Sequence, residues 1–369
     1  MNNKSIKSKK VLFSLLMLGV LFASAFIVKC STTEPDEEFM QPYFVAVSDA
    51  NSAAYSKDGT KWEFVEDAVK GKSIQFNSIC YGKDDDDNNI FVAVGSGISY
   101  YSIDGVNWEE GKGSELSSNN WQSVCYGNGI YVAVDSSNQK VMSSYNGKDW
   151  SLVVSVPNTT SYGWGEICYG ADKFVMIEGG SNNMRNVVWS NNGSSWFPAS
   201  NQLLSHINFE LRLDWNSICY GNGKFIAVAS TGNNSGTQMV AESADGKDWA
   251  TAIKSTLPNS NWQSVCYGED KFVAVGYIDG LGIVNDGTIA YSFDGEIWHE
   301  VTKPETWMSS VCYGNNKFVA ISTTGIVNYS SNNGVTWRAS NENLTPSPGN
   351  WSSICFGYVD AKALQRRVF

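Results

Sequence analysis

Short runs of alternating hydrophobic and polar residues follow one another along this chain, and the same order of runs returns seven times. Each unit has an aromatic residue, usually a segment of the type Ser-Val/Ile-Cys-Tyr/Phe-Gly, a short turn, and in most cases an apolar run such as Phe-Val-Ala-Val. The Cys sets the frame, with 43 to 51 residues between successive units, at Cys80, Cys125, Cys168, Cys219, Cys266, Cys312 and Cys355. The alternating segments predict half-buried strands, and the apolar runs predict strands that are buried on both faces.

The third unit illustrates the elements of one repeat. Residues 121–126, 131–134 and 142–145 have the composition of strands. Asn146 and Gly147 predict a hairpin after the third strand, because both residues tolerate the positive φ of a type I′ turn. The Trp three residues later opens a fourth strand. A repeat of forty-odd residues with four strands is typical of a β-propeller blade.

The two ends of the repeat region complement each other. The region begins at 43–47 with an apolar strand that has no aromatic-Ser-x-Cys strand before it, and it ends at 351–357 with such a strand and no apolar run after it. Pairing these segments would close a ring and remove exposed sheet edges. We therefore predict an all-β fold over residues 42–358: a single seven-bladed β-propeller of four-stranded antiparallel blades, closed by its N- and C-terminal strands. Residues 359–369 are expected to form a C-terminal tail.

A Gly-x-x-Trp turn near the end of each unit carries a family resemblance. Residues 330–337 read Ser-Ser-Asn-Asn-Gly-Val-Thr-Trp and match the Asp-box pattern Ser-x-Asp-x-Gly-x-Thr-Trp, with Asn at the acidic place. Six earlier turns are one residue shorter and end at Trp62, Trp108, Trp150, Trp196, Trp249 and Trp298. The chain thus resembles the Asp-box (BNR, sialidase-like) propellers over nearly its whole mature length. The resemblance implies that these turns join the outer two strands of each blade, away from the catalytic face.

The N-terminal segment predicts export. Several Lys precede an uncharged apolar run at 11–28, which is the pattern of an export signal over residues 1–29. Ordinary cleavage after Ala25 and lipidation of Cys30, within a segment that resembles a bacterial lipobox, are both open, and an uncleaved anchor is a third option.

An acidic tether would then occupy residues 30–41. We expect an exported cell-envelope lipoprotein, with a secreted protein as the alternative, whose only membrane contact is a lipid or signal anchor.

Charge and cysteine spacing exclude several classes of function. Without residues 1–29 the chain has 21 basic against 37 acidic residues, so nucleic acid is a poor partner. The repeated Cys belong to facing sheets about 10 Å apart, which is too far for disulfides. The four Asp at 84–87 lack the spacing of a calcium loop, and no other metal-ligand pattern occurs. We predict neither a metal site nor a cofactor.

Loop lengths predict where a ligand would bind. In a four-stranded blade, the second-to-third loops and the links between blades lie on one face, and four enlarged connections of this kind belong to the fourth to sixth units. They span residues 178–187, 197–214, 230–240 and 276–288. Long loops on a rigid scaffold commonly carry binding residues. The candidates, with solvated loop polarity as the alternative, are Glu178, Arg185, His206, Arg212, Asp214, Tyr277 and Asp279.

One departure from the repeat is sharper. The Ser two residues before the Cys recurs in six units, but the fourth unit has Glu166. Strand alternation puts Glu166 on the same face as Cys168, which predicts a carboxylate near the hub of the propeller. Such a group can bind a cation or a polar ligand, act as an acid or base, or simply face a wet central channel.

The resemblance also raises the question of catalysis. A sialidase site needs three converging arginines, a Tyr–Glu pair and an acid Asp. The propeller region contains only Arg185, Arg212 and Arg338, and the last follows the final turn Trp. No catalytic residue can be assigned, and fold alone does not give activity. We therefore predict a non-catalytic binding propeller with a protein or glycan ligand on the long-loop face of the fourth to sixth blades. The alternative is a sialidase-like glycoside hydrolase that uses carboxylates near the hub.

Overall fold

A computed structural model describes most of the repeat region. The described residues are 40–153, 156–157, 163–179, 186–200, 214–230, 240–251, 255–278, 286–301, 304, 306–344 and 349–365. The expected export signal and Cys30 lie outside them. Within these ranges no helix has the length and apolar character to span a membrane.

In the described ranges, twenty-eight strands form seven antiparallel sheets of four strands each, one per blade. Blade 1 has β1 (Met40–Ser48), β2 (Ala53–Ser56), β3 (Glu63–Val65) and, as its innermost strand, β28 (Trp351–Asp360). Blade 2 has β4 (Phe76–Lys83), β5 (Asn89–Gly95), β6 (Ile98–Ser102) and β7 (Glu109–Glu110). Blade 3 has β8 (Trp121–Gly127), β9 (Ile130–Asp135), β10 (Val141–Ser144) and β11 (Ser151–Leu152).

The remaining blades follow the same order from the hub outwards. Blade 4 has β12 (Trp164–Gly170), β13 (Lys173–Glu178), β14 (Val187–Ser190) and β15 (Phe197–Pro198). Blade 5 has β16 (Asp214–Gly221), β17 (Lys224–Ser230), β18 (Val240–Ser243) and β19 (Ala250–Thr251). Blade 6 has β20 (Asn261–Gly268), β21 (Lys271–Ile278), β22 (Asp286–Ser292) and β23 (Trp298–Glu300). Blade 7 has β24 (Met308–Gly314), β25 (Lys317–Ser322), β26 (Val327–Ser330) and β27 (Arg338–Ala339).

Blade 1 closes the ring. Strand β1 pairs antiparallel with β28 from Met40 opposite Asp360 to Ser48 opposite Trp351. The predicted fold class, an all-β propeller of seven four-stranded blades closed by its terminal strands, is confirmed. After β28 the chain continues into a short helix, α1 (Ala361–Gln365).

Aromatic–glycine contacts join each blade to the next. A Cβ on Gly127 would lie only 2.1 Å from the ring of Tyr169, which belongs to the following blade. The same contact recurs at every seam, as Gly82–Tyr126, Gly127–Tyr169, Gly170–Tyr220, Gly221–Tyr267, Gly268–Tyr313, Gly314–Phe356 and Gly357–Tyr81. The Gly that follows each Tyr or Phe is therefore needed because an aromatic ring of the next blade covers its Cα.

The outer turns are held by short side chains that accept backbone hydrogen bonds. In the first turn, Asp58 Oδ1 accepts the N–H groups of Thr60 at 2.8 Å and Lys61 at 2.9 Å, while Ser56 Oγ accepts that of Gly59. Burial alone would raise the pKa of Asp58, but these donors outweigh it and the pKa lies below its usual value. The turn residues are thus used for local structure.

Candidate functional site

Hydrogen bonds between innermost strands form a ring around the propeller axis. In each case the Ser two residues before the Cys accepts, through Oγ, a backbone N–H from the innermost strand of the next blade, at 3.2 to 3.4 Å. The donor–acceptor pairs are Ile79–Ser353, Val124–Ser78, Ile167–Ser123, Val265–Ser217, Val311–Ser264 and Ile354–Ser310. The recurrent Ser is thus a link between blades, and the seam between blades 4 and 5 has Glu166 in its place.

The carboxyl of Glu166 turns back toward blade 3. Its Oε1 accepts a hydrogen bond from Ser123 Oγ at 2.7 Å. Burial raises the pKa of Glu166 to about 7, although the Ser123 hydroxyl and the Ile167 N–H partly offset this effect. The side chain is half-buried, and it lines the cavity at the axis. Near neutral pH this carboxyl therefore exists in both its protonated and its ionised form.

A second set of inter-blade hydrogen bonds uses the residue three before the Cys, which follows an aromatic in six blades and Met308 in blade 7. That residue is a β-bulge in the pairing of the innermost strand, and a bulge can redirect a side chain. At four seams it donates to a backbone carbonyl of the next blade, in the pairs Asn77–Trp121, Asn216–Trp262, Ser309–Trp351 and Ser352–Phe76, at 2.7 to 3.1 Å. Blade 4 has Gly165 at this place, so no side chain there can reach Trp215 of blade 5.

These positions surround a polar cavity on the axis. One or more residues of each innermost strand line it, which identifies it as the mouth of the central channel, and its volume is about 420 Å³. Hydroxyl and amide groups dominate the walls, and Glu166 is the one titratable residue among the described residues of its lining. The cavity therefore holds a single ionisable group off its centre, on blade 4.

A recess beside blade 4 adjoins the axial cavity. It has a volume of about 250 Å³ and shares Gln122 and Asn216 with the axial cavity. Gly165 lies in its wall, and a Cβ there would be 2.7 Å from the Cα of Gly179, at the end of β13. Glycine thus allows a close approach of two backbone segments and leaves space where other blades carry an amide or hydroxyl.

Other predicted ligand residues lie apart from the cavity wall. Glu178 ends β13, is buried, and accepts a hydrogen bond from Asn186 Nδ2 at 2.7 Å. Asp214 opens β16 opposite Ser230. Tyr277, in β21, packs on Trp307, with ring centroids 4.7 Å apart.

Trp307 itself lines the axial cavity, so Tyr277 contacts a residue of that wall. Arg185, His206, Arg212 and Asp279 lie outside the described residues, as does Cys30. Of the candidates that the structure describes, only Glu166 belongs to the cavity lining.

The sequence prediction did not include the residues three before each Cys, which are polar in six blades and Gly in blade 4. In the order of the innermost strands from β4 to β28 they are Asn77, Gln122, Gly165, Asn216, Gln263, Ser309 and Ser352. Aligning the seven units at the Cys reveals this column and its single Gly, next to the column that contains Glu166. Blade 4 therefore departs from the repeat at two adjacent positions.

The repeated cysteines and the acidic turn offer no reactive group. The seven Cys in the described ranges are free thiols, and burial raises their pKa values, as at Cys168 beside Glu166. In the acidic turn, Asp84 is buried and binds Lys148 Nζ at 2.8 Å and the Asn88 N–H at 2.9 Å. Neutral thiols are poor nucleophiles, and Asp84 is occupied by protein donors.

Comparison with known proteins supports the architecture. No family model and no curated protein matches the chain. Among solved structures, the chain is similar to YCF48 bound to a D1 peptide, with a TM-score of 0.53 and 13% identity over 77% of this chain and 93% of that one. A catalytically inactive virginiamycin B lyase from Staphylococcus aureus with quinupristin has a TM-score of 0.54 and 14% identity, covering 77% and 92%.

The computationally designed Ika8 protein gives a TM-score of 0.52 at 9% identity, covering 88% of this chain and 96% of that one. At these identities the likeness concerns the fold. The fold and the cavity define a seven-bladed β-propeller with a polar axial mouth that one blade makes asymmetric.

Proposed function

We propose that this protein is a non-catalytic binding propeller whose ligand, a protein or a glycan, meets the long-loop face of blades 4 to 6. The observation that carries the proposal is the break in the repeat at Gly165 and Glu166, beside the axial cavity. Six seams follow one hydrogen-bonding scheme there, and the exception lies in blade 4, one of the three blades for which the sequence predicts enlarged connections. Pre-formed concave sites with a few convergent polar groups are typical ligand sites.

Two neighbours of known structure bear on the kind of ligand. YCF48 is bound to a peptide of D1, which supports a protein ligand over a glycan for a propeller of this shape. The lyase is an enzyme, so the same architecture also accommodates catalysis. Neither likeness transfers a site to this chain.

The proposal includes the Asp-box kinship and the cellular location. We propose an exported protein, lipidated on Cys30 and tethered to the cell envelope, with secretion as the alternative. The basic and apolar segment at its N-terminus and the Asp-box-like octet at 330–337 support these two points. Mass spectrometry of the mature N-terminus tests the first, since a diacylglyceryl mass on Cys30 is expected and a free N-terminus after Ala25 would contradict it.

One observation favours the enzyme alternative. A pKa of about 7 would suit Glu166 as a general acid, because catalytic carboxyls are often raised into this range. A paired-carboxylate glycosidase also needs a second acid about 5–9.5 Å away. The described lining of the axial cavity has no second carboxylate.

Binding arrays with the full-length protein test the proposed function. Peptide and glycan arrays should give a signal that Tyr277→Ala lowers severalfold, since that ring contacts a residue of the cavity wall. Tyr145→Ala is the matched control, because this exposed Tyr lies in an outer turn at the other end of its blade. The absence of binding on both arrays, together with turnover of a fluorogenic glycoside that Glu166→Gln abolishes, would replace binding by catalysis.

A further inference from the structure

We propose that the axial cavity binds a primary ammonium group beside the innermost strand of blade 4, with Glu166 as its counter-ion. The inference rests on the proposed function, because it names the ligand chemistry at the same face. Lysine side chains and peptide amino termini both supply this group.

The electrostatics of the cavity favour a cation. Glu166 is the one ionisable residue among the described residues of the lining, and the surrounding groups are neutral hydroxyls and amides. The chain after residue 29 has 21 basic against 37 acidic residues, so the wider field also attracts positive charge. An anionic ligand would meet the carboxylate with no basic partner among the described residues of this wall.

The hydrogen bond from Ser123 selects an ammonium over a guanidinium. Arginine binds carboxylates best in a two-pronged arrangement that uses both oxygens. Here Ser123 Oγ already donates to Oε1 at 2.7 Å, which hinders that arrangement. An ammonium needs only one carboxylate oxygen and can direct its other donors elsewhere.

The cavity lining offers an acceptor for those remaining donors. Gly165 has no side chain, so blade 4 makes no side-chain bond like that from Asn77 to the Trp121 carbonyl, and the recess beside Glu166 stays open. Ser217 Oγ, which also lines the cavity, keeps one acceptor position after binding the Val265 N–H. The Glu166 carboxylate and the Ser217 hydroxyl are thus acceptors in one cavity lining for the donors of an ammonium group.

A divalent metal ion fits this wall poorly. Calcium takes six to eight oxygen ligands and usually several carboxylates. The described lining provides one carboxylate among amides and hydroxyls. The acid count thus suits a monovalent organic cation better.

The charge state of Glu166 sets a pH signature. The pKa of about 7 means that the carboxylate form, which binds the cation, increases as the pH rises through neutrality. The titratable groups coupled to it are the thiols of Cys125 on β8 and Cys168 on β12, and burial keeps both neutral. On the blade 5 side, the cavity lining contains Asn216, Ser217 and Ile218, none of which is titratable. Binding of a lysine ammonium, which stays charged throughout, should therefore strengthen from pH 6 to pH 8, following this one group.

The experiment is an NMR or calorimetric titration of the full-length protein with two small probes. Nα-acetyl-lysine amide presents a side-chain ammonium, and glycylglycine amide presents an amino terminus. Either probe should bind, and the stronger one identifies the source. Doubly acetylated lysine amide is the neutral control and should not bind.

Two variants report on Glu166. Glu166→Gln keeps the shape and an acceptor for Ser123, and Glu166→Ser restores the residue of the other six blades. Both should weaken probe binding at pH 8 by at least about tenfold, as expected for loss of a charge-assisted contact. If both variants fail to fold, the pH dependence of the wild-type protein still decides.

Three results would overturn the proposal: equal binding of the neutral control, unchanged affinity in folded variants, or no rise in the affinity of the lysine probe from pH 6 to pH 8. Displacement of the probes by calcium at stoichiometric concentration would point instead to a metal site. If arrays show a ligand on this face while neither ammonium probe binds, this inference fails and the proposed function stands. If arrays and probes are both negative, both fail.

Discussion

Six seams of this propeller differ from the seam between blades 4 and 5 in the hydrogen bonds that join their innermost strands. All seven bury a Gly under an aromatic ring of the next blade, and Gly170 does so under Tyr220. Six also have a Ser that accepts a backbone N–H across the seam, whereas Glu166 bonds back to Ser123. Apolar packing is therefore common to every seam, and hydrogen bonding at the hub is dispensable at one. Functional sites commonly occupy places where a repeat departs from its own rule.

Removal of β28 should have the largest effect on stability, because it disrupts regular seams as well as ring closure. Truncation before Trp351 deletes the partner of β1 and, with Ser353 and Ile354, the hub bonds of two regular seams. We expect loss of cooperative unfolding, because the open ring exposes a sheet edge. Differential scanning calorimetry of the truncated and full-length proteins measures this. An equally sharp transition in the truncated protein would contradict ring closure as a condition of stability.

Substitution of the seam glycines compares a seam that has the hydrogen bond between the hub Ser and a backbone N–H with the seam that has Glu166 in place of this Ser. Gly127→Ala and Gly170→Ala each put a Cβ 2.1 Å from an aromatic ring and should lower the free energy of unfolding by about 1–3 kcal/mol. We expect Gly170→Ala to cost less, because its seam can widen without stretching hub hydrogen bonds. Chemical denaturation measures both. A cost for Gly170→Ala equal to or above that for Gly127→Ala would show that the hub bonds do not stiffen a seam.

Exchanging the hub residues should shift stability in opposite directions. Ser264→Ala leaves the Val311 N–H without its acceptor and should lower the free energy of unfolding by about 0.5–1.5 kcal/mol. Glu166→Ser supplies an acceptor for blade 5 and removes a half-buried carboxyl, so it should raise stability by a similar amount. Urea denaturation at pH 8 tests the pair. A destabilised Glu166→Ser protein would mean that Glu166 is itself a structural link.

The pH dependence of stability should also distinguish Glu166 from the Ser of the other blades. The pKa of Glu166 is raised from 4.5 to about 7 by folding, so the folded protein holds an extra proton between these values. Linkage then requires the contribution of this group to stability to fall as the pH rises from about 4.5 to 7. The difference in unfolding free energy between wild type and Glu166→Gln should follow that course and level off above pH 7. A difference that does not change with pH would place the carboxyl in a solvent-like environment.

The smallest expected effect is at the outer turns, far from the hub. Asp58→Asn should change stability little near pH 7, because Asn occupies the same place in other turns, as at Asn146. Since the pKa of Asp58 is lowered, its extra stabilisation is present above the ordinary Asp pKa and is lost as the pH falls through the folded value. Thermal melts between pH 7 and pH 3 should show less acid sensitivity in the variant. Identical curves would mean that the carboxylate adds nothing beyond an amide.

The sequence predicted the architecture because each blade repeats the same order of strand and turn segments. The Cys frame, the apolar second strands and the complementary ends of the repeat region were enough to place all seven blades. Glu166 was also predictable, since it breaks a column of Ser. Gly165 was not identified, because its consequence depends on a carbonyl of the neighbouring blade. Glu178 was assigned to a loop, but alternation alone could not reveal that its carboxylate is buried against Asn186.

The asymmetry of blade 4 has one consequence for recognition. A ring of seven near-equivalent blades repeats the same surface every seventh of a turn. Such a ring gives a ligand on its axis no preferred rotational orientation. Gly165 and Glu166 distinguish blade 4 from the other six blades and thereby define one rotational position around the axis. A ligand that bound along the axis would therefore take one rotational orientation. The rest of that ligand would always lie over the same blades of the propeller.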